Sequence, residues 1–286
     1  AAVGRRGRAV HRAPRDAFGS DERIASEWRE LGYVGPPVLA RAIEQFDRLV
    51  ELLDGLGIEV RIAEPRARLG LDSIYVRDAA VVCDDGAILC RMGKPARAAE
   101  PQALAAALES AGCPVLGAID GDGRLEGGDV VWLDRRTLAV GRGYRTNDEG
   151  IAQLRELLGA HIDRLITVPL AHGEGPASVF HLMSMISPLD HDLALVHSAP
   201  MPIPFRETLI GYGIRLIEAA AAEIGGLACN VLTVAPRHCL MLDGNPRTRK
   251  ALEQAGVRVE SFAGDEICLK GAGGPTCLTR PLQRFV

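Results

Sequence analysis

An α/β propeller is the fold class that this sequence predicts, and three observations predict it. A strand–strand–helix–strand unit recurs along the 286 residues, with a period of roughly 50. Each unit contains a hairpin of apolar strands, which a doubly wound parallel sheet would not repeat. No Gly/Ser linker, low-complexity tract or break in composition interrupts the chain, so residues 1–286 read as one domain. A single unit cannot bury its own apolar face. Four or five ββαβ units closing on themselves would do so, around a central channel.

The units follow in order. RAVHRAP at 8–14, a helix over 38–57 and the strand EVRIAE at 59–64 supply a partial unit, which the C-terminal run CLTRPL at 277–282 would complete. The next opens with AAVVC at 79–83, turns at Asp84-Asp85-Gly86 and returns as AILCRM. Its helix over 101–112 shows apolar spacing of three and four and ends at Gly112, and the strand PVLGAI follows. Then come DVVWL, a turn at Asp134-Arg135-Arg136, TLAVG, a helix through IAQLRELLG capped by Asn147 or Asp148, and RLITVPL. A less regular unit reads HLMSMI, DLALVHSA and a helix over 206–222. The last has NVLTVA, a turn at Pro236-Arg237, HCLMLDG, a helix through TRKALEQAG and the strand VRVESFA.

Composition is that of an ordinary globular protein, 47% apolar and 24% charged. A net charge of −4 offers nothing to attract nucleic acid. The basic run Arg5, Arg6, Arg8, Arg12 and Arg15 reads as a solvated edge. No apolar run is long enough for a membrane span, and residues 1–20 lack a signal-peptide core. Seven scattered cysteines form no CxxC pair and no zinc spacing, which fits a reducing compartment, the cytoplasm.

Chemistry concentrates at a few places. Gly141-Arg142-Gly143 lacks the third glycine of a dinucleotide loop, and Asp190-His191-Asp192 reads as a solvated cluster rather than a metal site. Cys277 ends the run Gly271-Ala272-Gly273-Gly274-Pro275-Thr276, where little side-chain bulk shields its sulfur. Cys83, Cys90, Cys229, Cys239 and Cys268 lie on strand-like apolar runs and read as inert buried thiols. A cysteine nucleophile needs a proton donor or base, and His181, after the small-residue approach Gly173 to Ser178, is the best placed histidine. Glu126 and Asp129 flank the pair Gly127-Gly128, and Asp72 and Asp78 bracket DSIYVRD, each just before a strand. In a closed propeller such equivalent strand starts converge. Carboxylates there would suit a planar guanidinium, which offers five donors in a rigid fork.

On these residues the chain resembles the guanidino-group-modifying (pentein) superfamily of dimethylarginine dimethylaminohydrolases, arginine deiminases and amidinotransferases. The matching segments are DSIYVRD (72–78), LEGGD (125–129), GRGYRTN (141–147), HLMS (181–184) and GGPTCLTRPL (273–282), in family order across nearly the whole chain. The resemblance implies a five-bladed α/β propeller. It implies Cys277 as nucleophile, His181 as general acid and base, and Glu126 and Asp78 as guanidinium ligands. Asp72 would then meet the substrate α-amino group, and Arg97 and Arg145 its carboxylate. Chain length favours the dimethylargininase branch. Met183 stands where deiminases carry an Asp, which leaves room for an alkylated nitrogen, whereas Arg77 before Asp78 is deiminase-like.

The expected reaction is attack of Cys277 on the guanidinium carbon, a covalent thiouronium intermediate, and release of citrulline and an amine. No metal or organic cofactor is expected. The expected partner is a small guanidino compound, not nucleic acid or membrane, and a homodimer is compatible with the sequence. Arginine deiminase or dihydrolase chemistry, amidino transfer to an amine acceptor, and a non-enzymatic propeller are the competing readings.

Overall fold

The computed structural model describes residues 7–64, 69–173, 175–176 and 180–282. Arg5, Arg6 and Ser178 lie outside them. Among the described residues the strands form five three-stranded sheets, arranged as five repeated blades. The first contains β1 (Gly7–His11) and β2 (Ile58–Ile62), which run parallel. The second contains β3 (Ala80–Val82), β4 (Ala87–Leu89) and β5 (Val115–Ala118). The third contains β6 (Val130–Trp132), β7 (Thr137–Arg142) and β8 (Arg164–Pro169), and the fourth β9 (Ile186–Asp190), β10 (Leu193–Val196) and β11 (Arg215–Glu218). The fifth contains β12 (Leu232–Ala235), β13 (His238–Leu242) and β14 (Arg258–Phe262). Strand β15 (Arg280–Pro281) then returns to the first blade, antiparallel to β1, with Val10 opposite Arg280. The ring is closed by its own C-terminal strand, as the sequence suggested.

Within each blade the first two strands pair antiparallel and the last two parallel. A parallel pair needs a crossover, and helices supply it: Glu100–Ser110, Asp148–Leu158, Ile203–Gly211 and Pro246–Gln254, with Leu39–Gly55 in the first blade. Asn147 caps its helix by accepting from Gly150 N, and Gly112 takes a left-handed conformation at φ 72°.

The apolar core is divided among the gaps between blades. Alternate residues of one strand feed opposite gaps: Val81 and Ile88 pack toward the third blade, whereas Val82, Ala87 and Leu89 pack toward the first. Likewise Val130 and Leu138 face one neighbour, and Val131 and Ala139 the other. The first two strands of these sheets are thus buried on both faces, which is why they read as unbroken apolar runs, whereas the third strands are partly exposed. A buried leucine such as Leu138 contributes about 1.5–3 kcal/mol relative to exposure.

Three sequence expectations need correction. The helix expected over 206–222 stops at Gly211, and residues after it form β11 and a 3₁₀ turn at Ala221–Gly226. Gly213, at φ 77°, turns the chain out of the helix. HLMSMI is not a strand throughout: Leu182–Ser184 is a 3₁₀ turn, and β9 begins at Ile186. Cys268 lies in the π-helical turn Asp265–Leu269 instead of a strand, although it is buried as expected. Among the described residues no helix is long and apolar enough to cross a membrane.

Candidate active site

The inner strands begin at the same end of the ring, and each is led in by a short turn or loop. Leu71–Ile74 and Val76–Ala79 precede β3, Gly127–Asp129 precedes β6, and Leu182–Ser184 precedes β9. Asn230 precedes β12, and the helical turn Pro275–Leu278 precedes β15. These segments carry Asp72, Asp78, Glu126, His181 and Cys277. The glycine pair of LEGGD is a condition of their meeting. A Cβ on Gly128 would stand 2.5 Å from His181 Nδ1 and 2.7 Å from Asp78 Oδ1, and one on Gly127 2.3 Å from Arg77 O.

His181 and Glu126 form the centre. Their Nε2 and Oε2 atoms lie 2.7 Å apart, and Glu126 is fully buried. Its other oxygen accepts from Gly93 N at 3.0 Å, Lys94 N at 3.3 Å and Arg145 Nη1 at 3.3 Å. Asp129 supports the pair from behind, accepting from Leu182 N at 3.0 Å and Thr146 Oγ1 at 2.7 Å. Burial would lower the His181 pKa, but Asp78, Asp129 and Glu126 outweigh it and hold the imidazole at about 9. For Glu126 burial works upward, yet the bond and charge of His181, with Arg97 and Arg145, bring it down to about 2. At neutral pH this is an imidazolium–carboxylate pair.

Asp78 stands beside it, its Oδ1 3.9 Å from His181 Nδ1. Oδ2 accepts from Arg97 Nη1 at 2.7 Å, while Oδ1 is buried without a hydrogen-bond donor among the described residues. Arg97 is only 4% exposed and its nitrogens are already engaged. Nε and Nη2 grip Glu100, Nη1 grips Asp78, and Nη2 also donates to Tyr75 O at 3.0 Å. Arg145 is also buried, against Glu126. Asp72 is occupied by Lys94, whose Nζ lies 2.6 Å from Oδ2.

Cys277 is half-buried, whereas the other six cysteines are buried. Its sulfur accepts from Asn230 Nδ2 at 3.3 Å. Asn230 Oδ1 in turn accepts from Thr276 N at 3.1 Å and Thr276 Oγ1 at 2.5 Å, fixing the residue before the cysteine. Burial and then the charge of Asp78 push the Cys277 thiol up, so at rest it is protonated at neutral pH. Asp78 is therefore the group that imidazole and sulfur share: it adjoins one and acts electrostatically on the other.

Asn230, Asp129, Thr146, Glu100 and Lys94 belong to this constellation, and the sequence reading did not single out any of them as a site residue except for the carboxylate of Asp129 noted beside the glycine pair. Asp78, Glu126 and His181 present ligand atoms within 4.8 Å of one another, as do Asp190, His191 and Asp192. In the second group Arg237 binds both aspartates. Behind the site the inner strands enclose a cavity of ≈ 130 Å³, lined by Val81, Val130, Leu189 and Val231 and by Arg77 and Arg280. Met183 also faces this cavity.

Comparison with known proteins bears on the family and the fold. The family model of eukaryotic N,N-dimethylarginine dimethylhydrolases matches residues 30–284. An N(G),N(G)-dimethylarginine dimethylaminohydrolase of Streptomyces coelicolor is 36% identical over 252 residues, covering 85% of this chain and 87% of its own. An arginine deiminase of Streptococcus gordonii is 30% identical over 195 residues, 57% of this chain and 47% of its own. The dimethylarginine dimethylaminohydrolase of Pseudomonas aeruginosa, solved with citrulline, superposes with a TM-score of 0.77 at 23% identity, covering 96% of this chain and 98% of its own. The N-terminal domain of a cyanobacterial arginine dihydrolase, bound to product, gives 0.80 at 21% identity with 98% of both chains covered. At these identities the two structures bear on the fold, which is the pentein propeller.

Proposed function

The chain belongs to the dimethylarginine dimethylaminohydrolase family, and from that premise we propose that Cys277 attacks the guanidinium carbon of an arginine-like substrate while His181 manages the protons. The enzyme is a hydrolase of C–N bonds in linear amidines. The observation that carries the residue assignment is Asp78 Oδ1, a buried carboxylate oxygen without a donor among the described residues, next to His181 and within the electrostatic reach of Cys277. Such an oxygen is costly unless a donor arrives. The N–H edge of a guanidinium is a donor of the right charge and shape.

The chemistry follows from the resting charges. With Cys277 as thiol and His181 as imidazolium, the free site carries no strong nucleophile. A bound guanidinium beside the sulfur favours thiolate, the thiol proton passing to solvent, so the substrate promotes its own attack. The thiolate adds to the central carbon, and His181 donates its proton to the departing amine. The now neutral His181 takes a proton from water attacking the thiouronium carbon, which restores the thiol enzyme and leaves a ureido product. Glu126 keeps the ring oriented and its charge paired.

Two further assignments follow. With all its nitrogens engaged, Arg97 holds Asp78 in place instead of meeting a substrate carboxylate, which leaves Arg145 for that role. Met183 faces the axial cavity and supplies no further carboxylate for a nitrogen, which favours a methylated guanidinium over arginine itself. Seven unpaired cysteines support a reducing, cytoplasmic setting. The test is incubation with monomethyl-, asymmetric dimethyl- and unmodified arginine, with assay of ureido product and released amine. Faster release of methylamines than of ammonia supports the dimethylargininase reading; ammonia alone assigns the deiminase one.

A further inference from the structure

Asp72, which the family resemblance gives as the partner of a substrate α-ammonium, is already held by the ammonium of Lys94. Lys94 Nζ lies 2.6 Å from Asp72 Oδ2 and donates to Leu31 O at 2.7 Å. Asp72 is 6% exposed, so this is an enclosed ion pair and not a surface contact screened by water. The backbone beneath it is held firmly. The N–H groups of Gly93 and Lys94 both donate to Glu126 Oε1. Gly93 packs so closely that a Cβ would stand 2.7 Å from Arg145 Cα, and Pro95 follows with its fixed φ. Lys94 therefore spans the site from the guanidinium end, at Glu126, to the tail end, at Asp72.

Resting on the guanidino-hydrolase reading above, we propose that Lys94 sets the substrate class: ω-guanidino carboxylic acids that lack an α-ammonium. A substrate ammonium arriving at Asp72 would find that carboxylate already neutralised and would face the Lys94 cation across a short distance. A tail without an ammonium leaves the Lys94–Asp72–Leu31 contacts intact. A terminal carboxylate still gains, because an ammonium has three N–H donors and the two named contacts leave one for the substrate. The buried Arg145 packs its backbone against Gly93 and turns its guanidinium to Glu126. In the reaction, the C–N bond to the departing nitrogen breaks, water supplies the carbonyl oxygen of the ureido acid, and the amine leaves as its ammonium with the positive charge of the guanidinium.

The test measures kcat/KM for four compounds: arginine, asymmetric dimethylarginine, and their des-amino counterparts 5-guanidinopentanoate and its N,N-dimethyl form. Wild-type enzyme is expected to favour the des-amino member of each pair by at least ten-fold. Lys94→Ala and Lys94→Met are expected to shift that ratio at least ten-fold toward the α-amino member, by freeing Asp72. A wild-type preference for the α-amino compounds overturns the proposal without need of any variant. A des-amino preference that both variants retain removes Lys94 as its cause and overturns it equally. Absence of ureido product from all four compounds instead overturns the underlying hydrolase reading, and the proposal with it.

Discussion

On the imidazole side of the site the functional groups are charged and bonded to one another: Glu126 to His181, to Arg145 and to two backbone N–H groups, Asp78 to Arg97, Asp129 to Thr146 and Leu182. On the sulfur side the partners are neutral: Asn230 donates to Cys277 and Thr276 Oγ1 lies 4.0 Å from its sulfur, while burial and Asp78 hold the thiol protonated. On the mechanism proposed above, the imidazole side is assembled before substrate arrives, and the sulfur side is completed by it. The contrast has a physical origin. Carboxylates and imidazolium neutralise each other in the interior, whereas a permanent thiolate beside Asp78 would be repelled.

Removing the charge from the assembled side should have the largest effect. Glu126→Gln is expected to lower kcat/KM by about 10²–10⁴-fold, the range for a lost general acid, and to move the His181 titration down from about 9. It should also cost stability, about 3–5 kcal/mol for breaking a buried pair. The sign of the pH dependence is fixed. The raised His181 contributes fully below its unfolded value of about 6.5 and loses its contribution as pH rises through about 9. The depressed Glu126 contributes above about 4.3 and loses it as pH falls through about 2. The stability gap between wild type and Glu126→Gln should therefore be widest near pH 5–6, from denaturant melts, and shrink above pH 9.

The sulfur side should respond more mildly. Asn230→Ala removes the acceptor for Thr276 and the donor to Cys277; unfolding free energy is expected to fall by about 1–3 kcal/mol and turnover by about ten-fold. Asn230→Asp sharpens the comparison, since it keeps the Thr276 acceptor but sets a carboxylate against the sulfur. Its melt should stay nearer wild type, while alkylation of Cys277 at neutral pH slows. Equal alkylation rates in the two proteins would contradict the role given to Asn230.

The smallest effect lies outside both halves. His11 in β1 is fully buried, neither ring nitrogen has a hydrogen-bond partner among the described residues, and burial holds its pKa down at about 3. A base with a depressed folded pKa costs stability as pH falls below its unfolded value. Wild type should lose about 2 kcal/mol more than His11→Leu between pH 6.5 and 5, with no matching change in kcat.

How far the sequence disclosed this molecule follows from how local each cause is. The blades were legible because their strands, turns and caps are encoded over short spans: Asp84-Asp85-Gly86 for a hairpin, Asn147 for a cap, Gly112 for a helix end. The fourth blade was misread where Gly211-Tyr212-Gly213 breaks a helix that apolar content alone would continue. Cys277 was legible from its glycine-rich approach. The resemblance pointed to Glu126, His181 and Asp78, which lie side by side at one end of the ring, but it could not show that Arg97 is consumed by Glu100 and Asp78. Asn230, Thr146 and Lys94 stayed hidden because their contacts are not local in sequence, and nothing in their own neighbourhood marks a residue as the partner of one 20 to 50 positions away.

The account turns on the sulfur at position 277 bonding to carbon while the ring at 181 supplies the proton. Intact-protein mass spectrometry on acid-quenched turnover mixtures, followed by peptide mapping, observes that bond directly. An adduct equal to the substrate less its departing amine, confined to the peptide carrying Cys277 and missing from Cys277→Ser, is the expected result. Turnover with no adduct on that peptide, or undiminished turnover by Cys277→Ser, would contradict it.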